Sequence, residues 1–232
     1  MKIMAIDTTA VVASVALVDE LKVIAEYTTN YKVTHSQTIM PMIESLVNMI
    51  ELDLNEVDYF ACSVGPGSFT GLRIGAATIK GLAHGLDKKI IPIPTLDALA
   101  YNMISANKLI VPIMDARRNQ VFTCIYNKDM NKLTDYIALD INELLPMVKE
   151  MNKEAVFLGD GIINFKDIIL NYSDKFSIAP ITANMQRASN VAALGLINID
   201  KAVEPNDLEI IYLKKPQAQR EMEAKIENLK NE

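Results

Sequence analysis

The sequence predicts an α/β protein built from two copies of a βββαβα domain. Short apolar runs alternate with helical segments along its 232 residues, and 50% of these residues are apolar, which is enough to bury a sizeable core. A strand that ends in aspartate, followed by a turn and another strand, occurs at Ile6-Asp7 and again at Met114-Asp115. We therefore favour duplication of one domain over a chance similarity between two buried strands.

The first copy is predicted to span residues 1–104. Apolar and β-branched runs predict strands at residues 2–6, 11–18 and 21–26, with Asp19-Glu20 as the turn between the last two. A helix is predicted from Ser36 to about Ile50, then a strand over residues 57–64 and a helix of small residues up to about Gly85. A strand at residues 89–93 and a helix capped by Thr95 and reaching about Ile104 complete the copy.

The second copy is predicted to span residues 105–213 and to begin after the loop of residues 105–108. Its strands are expected at residues 109–114, 121–126, 133–139, 155–158 and 176–178, and its helices at residues 141–151, 165–170 and 188–199. The last of these helices is a candidate for packing back on the first domain. Residues 214–232 form a charged tail whose apolar stripe fits either a helix that orders on a partner or a frayed terminus: Ala218, Met222, Ile226 and Leu229.

The charge of the chain argues against autonomous binding of nucleic acid. The formal net charge is −6, and no strongly basic stretch stands out from the rest of the sequence. Proteins that grip RNA or DNA alone usually present a basic face, because contacts to phosphates dominate their affinity. The chain is therefore a poor candidate for binding RNA on its own.

The sequence is that expected of a cytoplasmic protein. The two cysteines, Cys62 and Cys124, each lie in an apolar run and are expected to be reduced core thiols. The first residues reach the charge of Asp7 too soon for a signal peptide, and no apolar run approaches the ~20 residues that span a bilayer.

Six short motifs carry a resemblance to a known family. The most specific is an eleven-residue run from Gly65 to Gly75, with the sequence GPGSFTGLRIG. The others have the same order and spacing over nearly the whole chain: Ile6-Asp7-Thr8-Thr9, His35-Ser36-Gln37 with Pro41, Pro94-Thr95-Leu96-Asp97-Ala98-Leu99-Ala100, Asp115-Ala116-Arg117-Arg118 and Tyr212-Leu213-Lys214. Together they make the chain similar to the TsaB family, called YeaZ in older naming.

The resemblance implies a fold and a pathway. It implies two domains of the actin, Hsp70 and sugar-kinase class, with a ribonuclease H-like motif in each. It further implies a role in making N6-threonylcarbamoyladenosine beside the anticodon of tRNAs. In that family the subunit pairs with a catalytic relative, TsaD, and a small ATPase, TsaE, joins them. A subunit that is alone is expected to form a homodimer.

The glycine-rich loops have two readings. Gly65-Pro66-Gly67 follows a predicted strand and opens a helix, where free N–H groups would suit a phosphate, but it matches neither a P-loop nor a dinucleotide fingerprint. A structural turn is the favoured interpretation. The weak nucleotide candidates are Gly65, Gly67, Gly159 and Gly161. The two first-strand hairpins, after Asp7 and Asp115, contain no glycine, which a backbone close to a phosphate would normally need.

The resemblance also predicts a chain without catalytic residues or a metal site. In the catalytic relative, a His-x-x-x-His pair on the corresponding helix binds metal. Thr95 and Leu99 stand at those positions here, and leucine cannot ligate a metal. The only histidines, His35 and His84, are far from this stretch in sequence, and we expect them to be polar surface or capping groups.

Two helices of the first copy are predicted to pair with a partner. The helix from Ser36 has apolar residues over an arc of about 180°, wider than the ~100° needed to face one core, although deep burial in its own domain would also explain this. Glycine within the next helix costs ~1 kcal/mol relative to alanine, so close helix–helix approach is the expected reason for it. The predicted interface residues are Met40, Met42, Val47, Met49, Gly71, Gly75 and Ala76.

The function predicted from the sequence is therefore a non-catalytic scaffold of the threonylcarbamoyladenosine complex. It should need no cofactor alone, although the residues leave open a nucleotide at the joint with a partner. The alternative is an ATP-dependent phosphotransferase of the actin-like class, against which the glycine-poor hairpins argue. A metalloprotease is a third reading, which the absent ligands oppose.

Overall fold

The computed structural model describes residues 1–31 and 34–214, which form two five-stranded mixed sheets flanked by helices. The first sheet and its helices comprise β1 (Lys2–Asp7), β2 (Ala13–Asp19), β3 (Val23–Thr29), α1 (His35–Met49), β4 (Tyr59–Ser63), α2 (Phe69–Gly85), β5 (Lys89–Ile93) and α3 (Thr95–Ala100). The second comprises β6 (Leu109–Asp115), β7 (Gln120–Thr123), β8 (Ile137–Asp140), α4 (Ile141–Glu150), β9 (Ala155–Leu158), α5 (Ile162–Tyr172), β10 (Phe176–Ile178) and α6 (Ala188–Ile197).

The strand order confirms the predicted duplication. The first sheet has the order β3-β2-β1-β4-β5, and the second has β10-β9-β6-β7-β8, which is the same order when each strand is matched to its counterpart. In both sheets the first three strands pair antiparallel. The fourth strand pairs parallel with the first, and the fifth pairs parallel with the fourth. The predicted α/β fold of two similar units is therefore confirmed, and each unit carries a fifth strand beyond the βββαβα core.

Local hydrogen bonds explain where elements depart from the predicted bounds. The Asp19 carboxylate accepts the N–H groups of Leu21 and Lys22 at 2.8 and 2.9 Å, so the turn is longer than expected and β3 begins at Val23. The predicted cap at Thr95 is wrong. Pro94 precedes the helix, Thr95 is its first residue, and the Thr95 hydroxyl accepts the N–H of Gly65 at 3.1 Å.

Helix α6 follows the second domain in sequence but packs on the first sheet. Its buried residues Ala188, Val191 and Ala192 lie in one apolar cluster with residues of β1 and β2, such as Ile3 and Ala16. The Glu26 carboxylate of β3 accepts the N–H and hydroxyl of Ser189 at 3.0 and 2.7 Å, and it also binds Arg187. The two domains are thus joined by secondary structure as well as by their connecting loop.

The predicted tail stripe at Ala218, Met222, Ile226 and Leu229 lies outside the described residues. Across residues 1–31 and 34–214, none of the helices has both the length and the apolar character required to cross a bilayer.

Candidate functional site

A cleft of about 560 Å³ lies between the two domains, where their first hairpins face each other. The loop after β1 contributes Thr9, Ala10 and Val11, and the end of β6 with the loop after it contributes residues 114–117. The start of α2, Asp160 and the segment of residues 211–214 close the remaining sides. The two first-strand hairpins that the sequence singled out meet here, so the groups around the cleft decide what the chain can do.

The aspartate that ends β1 is sealed by its own loop. Asp7 is 1% exposed. One carboxylate oxygen accepts the N–H and the hydroxyl of Thr9 at 2.9 and 2.7 Å, and the other accepts the hydroxyl of Ser63 at 2.5 Å. Burial raises the pKa of Asp7 above its ordinary value. This carboxylate fixes the loop and does not face the open cleft.

The glycines of the first loop let the backbone approach its own chain. Gly65 has a φ of +115°, and a Cβ there would lie 2.3 Å from the carbonyl oxygen of Ile211. A Cβ on Gly67 would lie 2.5 Å from the carbonyl oxygen of Thr9, which also accepts the N–H of Ser68 at 2.7 Å. Close packing therefore accounts for both residues without a phosphate.

The same holds for the loop after β9. Gly159 has a φ of +109°, and its Cβ would lie 2.2 Å from the carbonyl oxygen of Ile113 in β6. A Cβ on Gly161 would lie 3.0 Å from that oxygen. All four weak nucleotide candidates thus have a packing reason within the chain, and their role in binding a nucleotide stays a prediction.

The hairpin after β6 turns without glycine. Arg117, Arg118 and Asn119 have φ values of 63°, 56° and 60°, a left-handed run that is unfavourable for residues with side chains. The Lys214 ammonium donates to the carbonyl oxygen of Ala116 at 2.9 Å and to the side chain of Gln120, so the end of the described chain is tied to this hairpin. The sequence predicted a glycine-poor hairpin but gave no sign of this conformation.

The mouth of the cleft is braced by aromatic contacts. The rings of Phe69 and Tyr212 lie 4.9 Å apart, and the Arg73 guanidinium lies 3.9 Å from the Phe69 ring centre. Arg73 also donates to the Tyr212 hydroxyl at 3.3 Å. These contacts hold residues 211–214 against α2, which explains how a motif near the end of the chain belongs to the same site.

Two carboxylates meet on the cleft floor. One Asp160 oxygen accepts the N–H of Asp115 at 3.0 Å. Burial, helped by the nearby Asp115 carboxylate, raises the pKa of Asp160 to about 6. Sequence reasoning singled out the glycines on either side and missed Asp160, although a Gly-Asp-Gly turn after a strand was the available signal.

Asp160 gives a testable pH dependence. Because its folded pKa lies above its unfolded pKa, ionised Asp160 opposes folding, and its cost appears as the pH rises from about 4 through about 6. We expect Asp160→Asn to have the stability of the parent near pH 4 and to exceed it by roughly 1–2 kcal/mol near pH 8. Urea unfolding at both pH values measures the difference in free energy of unfolding between the variant and the parent. A difference that is the same at both pH values would show that Asp160 titrates normally.

Helix α3, where the sequence predicts no metal ligands, is occupied by packing contacts. Thr95 and Leu99 are both 0% exposed. The Thr95 hydroxyl holds Gly65, and the end of the Leu99 side chain lies 3.0 Å from the position of a Cβ on Gly159. Within residues 1–31 and 34–214, no three His, Cys, Asp or Glu side chains are grouped so as to hold a metal ion.

The aspartate between them joins the two domains. One Asp97 oxygen accepts the hydroxyls of Tyr126 and Tyr136 at 2.5 and 2.7 Å, and the other lies 3.4 Å from the Lys132 ammonium. Tyr126 is fully buried. Asp97 belongs to α3 of the first domain, whereas its three partners lie in the second. The carboxylate is therefore used as a structural bridge.

The two histidines lie on the helices that were predicted to pair. His35 begins α1, and its Nε2 lies 2.7 Å from the carbonyl oxygen of Ala10, which lines the cleft. His84 is exposed in the last turn of α2. His35 therefore anchors the start of α1 to the cleft loop.

Helix α1 exposes part of its apolar surface. Ile39, Ile43 and Leu46 are buried in the first core, while Met40 and Met49 are 47% and 67% exposed. The other two predicted interface residues of α1, Met42 and Val47, are half-buried against the same core. The wide apolar arc thus covers the core on one side and reaches solvent on the other.

Three small residues of α2 that were predicted to contact a partner pack within their own domain. A Cβ on Gly71 would lie 1.9 Å from the carbonyl oxygen of Thr8, and a Cβ on Gly75 would lie 2.5 Å from the Thr8 hydroxyl. Ala76 is 8% exposed and lies in the first core. The close approach that these residues permit is to the end of β1, so they face their own domain and not a partner.

The outer face of α2 presents other small residues. Ala77 and Gly81 are exposed one turn apart, and a Cβ on Gly81 or Gly85 would meet no atom within 4 Å. Helices α1 and α2 pack against each other on the same core. We therefore define the α1–α2 surface as Met40 of α1 with Ala77 and Gly81 of α2. Met49 is nine residues from Met40 and lies on the opposite side of α1, where its sulfur accepts the Tyr27 hydroxyl at 3.6 Å.

Comparisons with known proteins agree with this geometry. The family model for TsaD, described as tRNA N6-adenosine threonylcarbamoyltransferase, matches residues 22–228. The chain is 37% identical over 200 residues to the tRNA threonylcarbamoyladenosine biosynthesis protein TsaB of Bacillus subtilis, covering 84% of this chain and 87% of that protein. It is 34% identical over 133 residues to TsaB of Escherichia coli, covering 56% and 57% of the two chains.

A solved structure shows the same fold. The crystal structure of YeaZ from Pseudomonas aeruginosa has a TM-score of 0.69 and 21% identity, covering 91% of this chain and 99% of that one. By sequence over most of its length, the chain belongs to the TsaB family, whose curated members are named tRNA threonylcarbamoyladenosine biosynthesis proteins.

Proposed function

We propose that this chain is a non-catalytic subunit of the complex that makes N6-threonylcarbamoyladenosine beside the anticodon of tRNA. It pairs with a TsaD-like catalytic subunit, and a TsaE-like ATPase joins the pair. The observation that carries the proposal is that the side chains of α3 are used for packing and hydrogen bonds. Thr95 and Leu99 occupy the metal-ligand positions of the catalytic relative with fully buried side chains, and Asp97 between them is bound by two tyrosines and a lysine.

The cleft supports a scaffold in the same way. The Asp7 carboxylate is enclosed by Thr9 and Ser63, so it is not available to a phosphate-bound cation in the cleft. The glycines of the loops after β4 and β9 are required by contacts with Ile211, Thr9 and Ile113. The chain keeps the fold of a two-lobed enzyme. The Asp7 carboxylate and the loop glycines, which such an enzyme would use to bind a substrate, make structural contacts within the chain instead.

The α1–α2 surface supplies the pairing function. Methionine side chains adapt their shape to a partner, and exposed alanine and glycine let a second helix pair approach closely. The same surface on a second copy would give a symmetric four-helix contact, which is the form we propose for the chain alone. The net charge of −6 supports tRNA binding through the complex and not through this chain by itself.

Reconstitution tests the proposal. The chain alone should form no threonylcarbamoyladenosine in digested tRNA. Added to the catalytic subunit, the ATPase, ATP and the threonylcarbamoyl donor, it should be required for product to form. Equal yields with and without the chain would remove the proposed role, and product from the chain alone would show that it is catalytic.

An ATP-dependent phosphotransferase is the second candidate, and the size of the cleft favours it. A volume of about 560 Å³ lies within the range of small-molecule sites, and Ser68 and Arg117 line it with groups that could contact phosphate. Calorimetric titration of the isolated chain with ATP and Mg²⁺ distinguishes the two. Micromolar binding by the isolated chain would favour the phosphotransferase, whereas binding that needs the catalytic subunit would place a nucleotide at their joint.

A further inference from the structure

A second cavity, of about 440 Å³, lies at the other end of the second sheet from the cleft. Three loops form it, one before β6, one after β7 and one before β9, and they bring Lys108, Lys128 and Lys153 to its rim. The cleft begins after Asp115, at the far end of the 7-residue strand β6, so the two sites are about 20 Å apart along the sheet. We call this site the lysine cavity.

The charges of the lysine cavity do not cancel. Lys108 is paired with Glu154 at 3.1 Å, and Asp129 is the other acidic residue of the lining. Lys128 and Lys153 have no ion pair with any described residue of the chain. The lining is therefore cationic by one charge, in a chain whose net charge is −6.

The loops that carry these lysines are held by their own hydrogen bonds. The Asn127 side-chain oxygen accepts the N–H groups of Asp129 and Asn131, each at 2.9 Å, which fixes the turn around Lys128. Asn152, before Lys153, has a φ of 53°, and its side-chain oxygen accepts the Lys175 ammonium at 2.7 Å.

The lining has groups that suit phosphate and lacks groups that suit a base. Lysine ammonium groups and amide donors bind phosphate oxygens as point contacts. Neither stacking nor a hydrophobic slot is available for a nucleobase, because the lining contains no aromatic residue and its one aliphatic residue is Leu109. Contacts of this kind position a nucleic acid without reading its sequence.

We propose that the lysine cavity binds backbone phosphates of tRNA when the chain stands in its complex. This rests on the proposed function, which brings tRNA to the chain, and adds a contact made by the second domain. The α1–α2 surface contributes no residue to the lysine cavity, so the two proposed contacts use different residues of the chain. Two phosphate contacts are too few to overcome a charge of −6 alone, so the isolated chain still binds tRNA weakly.

The test is the salt dependence of tRNA binding by the reconstituted complex. Each lost phosphate contact lowers the slope of log affinity against log salt by about 0.7–0.9, so Lys128→Ala with Lys153→Ala should lower it by about 1.4–1.8. The affinity should fall about tenfold at about 50 mM salt and converge with the parent at high salt. The control is Lys22→Ala with Lys166→Ala, two exposed lysines outside the cavity, which should keep the parental slope.

Two further arms separate the outcomes. Inorganic phosphate is titrated into the isolated chain by NMR, and submillimolar binding there, with an unchanged tRNA slope, would assign the cavity to a free anion and overturn the proposal. Calorimetry of the chain with the catalytic subunit comes before tRNA is added. If that pairing fails, the proposed function fails. Gel shifts at low salt then compare tRNA binding by the isolated double variant and by its parent. Equal affinities would refute phosphate binding by the lysine cavity.

Discussion

Replacing Gly71 with alanine should lower the free energy of unfolding by about 2–4 kcal/mol. The new Cβ would lie 1.9 Å from the carbonyl oxygen of Thr8, and 3.1 Å from its carbon, so backbone must move at the end of β1. The effect should reach the cleft as well, because Thr8 precedes the loop that Asp7 holds in place. Urea unfolding followed by circular dichroism measures the change.

Gly81 is the matched control on the same helix. A Cβ there meets no atom within 4 Å, so Gly81→Ala should raise the free energy of unfolding by up to ~1 kcal/mol through helix propensity alone. Opposite signs at two glycines of one helix would show that α2 packs on β1 through Gly71 and turns Gly81 outward. If Gly71→Ala proved as stable as the parent, the description of α2 would be incorrect.

Placing arginine at Ala77 should weaken pairing with the catalytic subunit by one to two decades. Ala77 is exposed on the α1–α2 surface, and a bulky, unpaired charge there would prevent the close approach of a partner helix. A loss of 2.7 kcal/mol corresponds to about a hundredfold in affinity. Since the position is solvated in the free chain, the melting temperature should stay within about 2 °C of the parent.

Asn164→Arg provides the control for charge and bulk, because Asn164 is exposed on α5 of the second domain. Calorimetry with the catalytic subunit should give the parental affinity for this variant. A parental affinity for Ala77→Arg as well would exclude the α1–α2 surface as the interface. A lower melting temperature for Ala77→Arg would instead mean that Ala77 contacts its own domain.

The order of elements could be predicted from the sequence because each depends on local pattern. The strands β5, β9 and β10 lie at the predicted residues. The repeated strand–aspartate motif correctly predicted two sheets with the same topology. The absence of a metal site at Thr95 and Leu99 stays a prediction from residue type, because leucine cannot ligate a metal and threonine rarely does so alone.

The features that were missed depend on contacts between distant residues. Glycine in a helix indicates a close neighbour but does not say which, so Gly71 and Gly75 were assigned to a partner when their neighbour is Thr8. The raised pKa of Asp160 comes from burial beside Asp115. The lysine cavity is assembled from loops that begin near Asn107, Asn127 and Lys153, and no local pattern connects them.

The most direct measurement of the central claim is the yield of threonylcarbamoyladenosine in the reconstituted reaction as a function of the concentration of this chain. With the parent, the yield should rise from zero and saturate near the pairing dissociation constant. With Ala77→Arg, the same maximum should be reached at a concentration about 10–100-fold higher, because pairing and not chemistry is weakened. Identical curves for the two chains, or product without any chain, would contradict a non-catalytic subunit that acts through the α1–α2 surface.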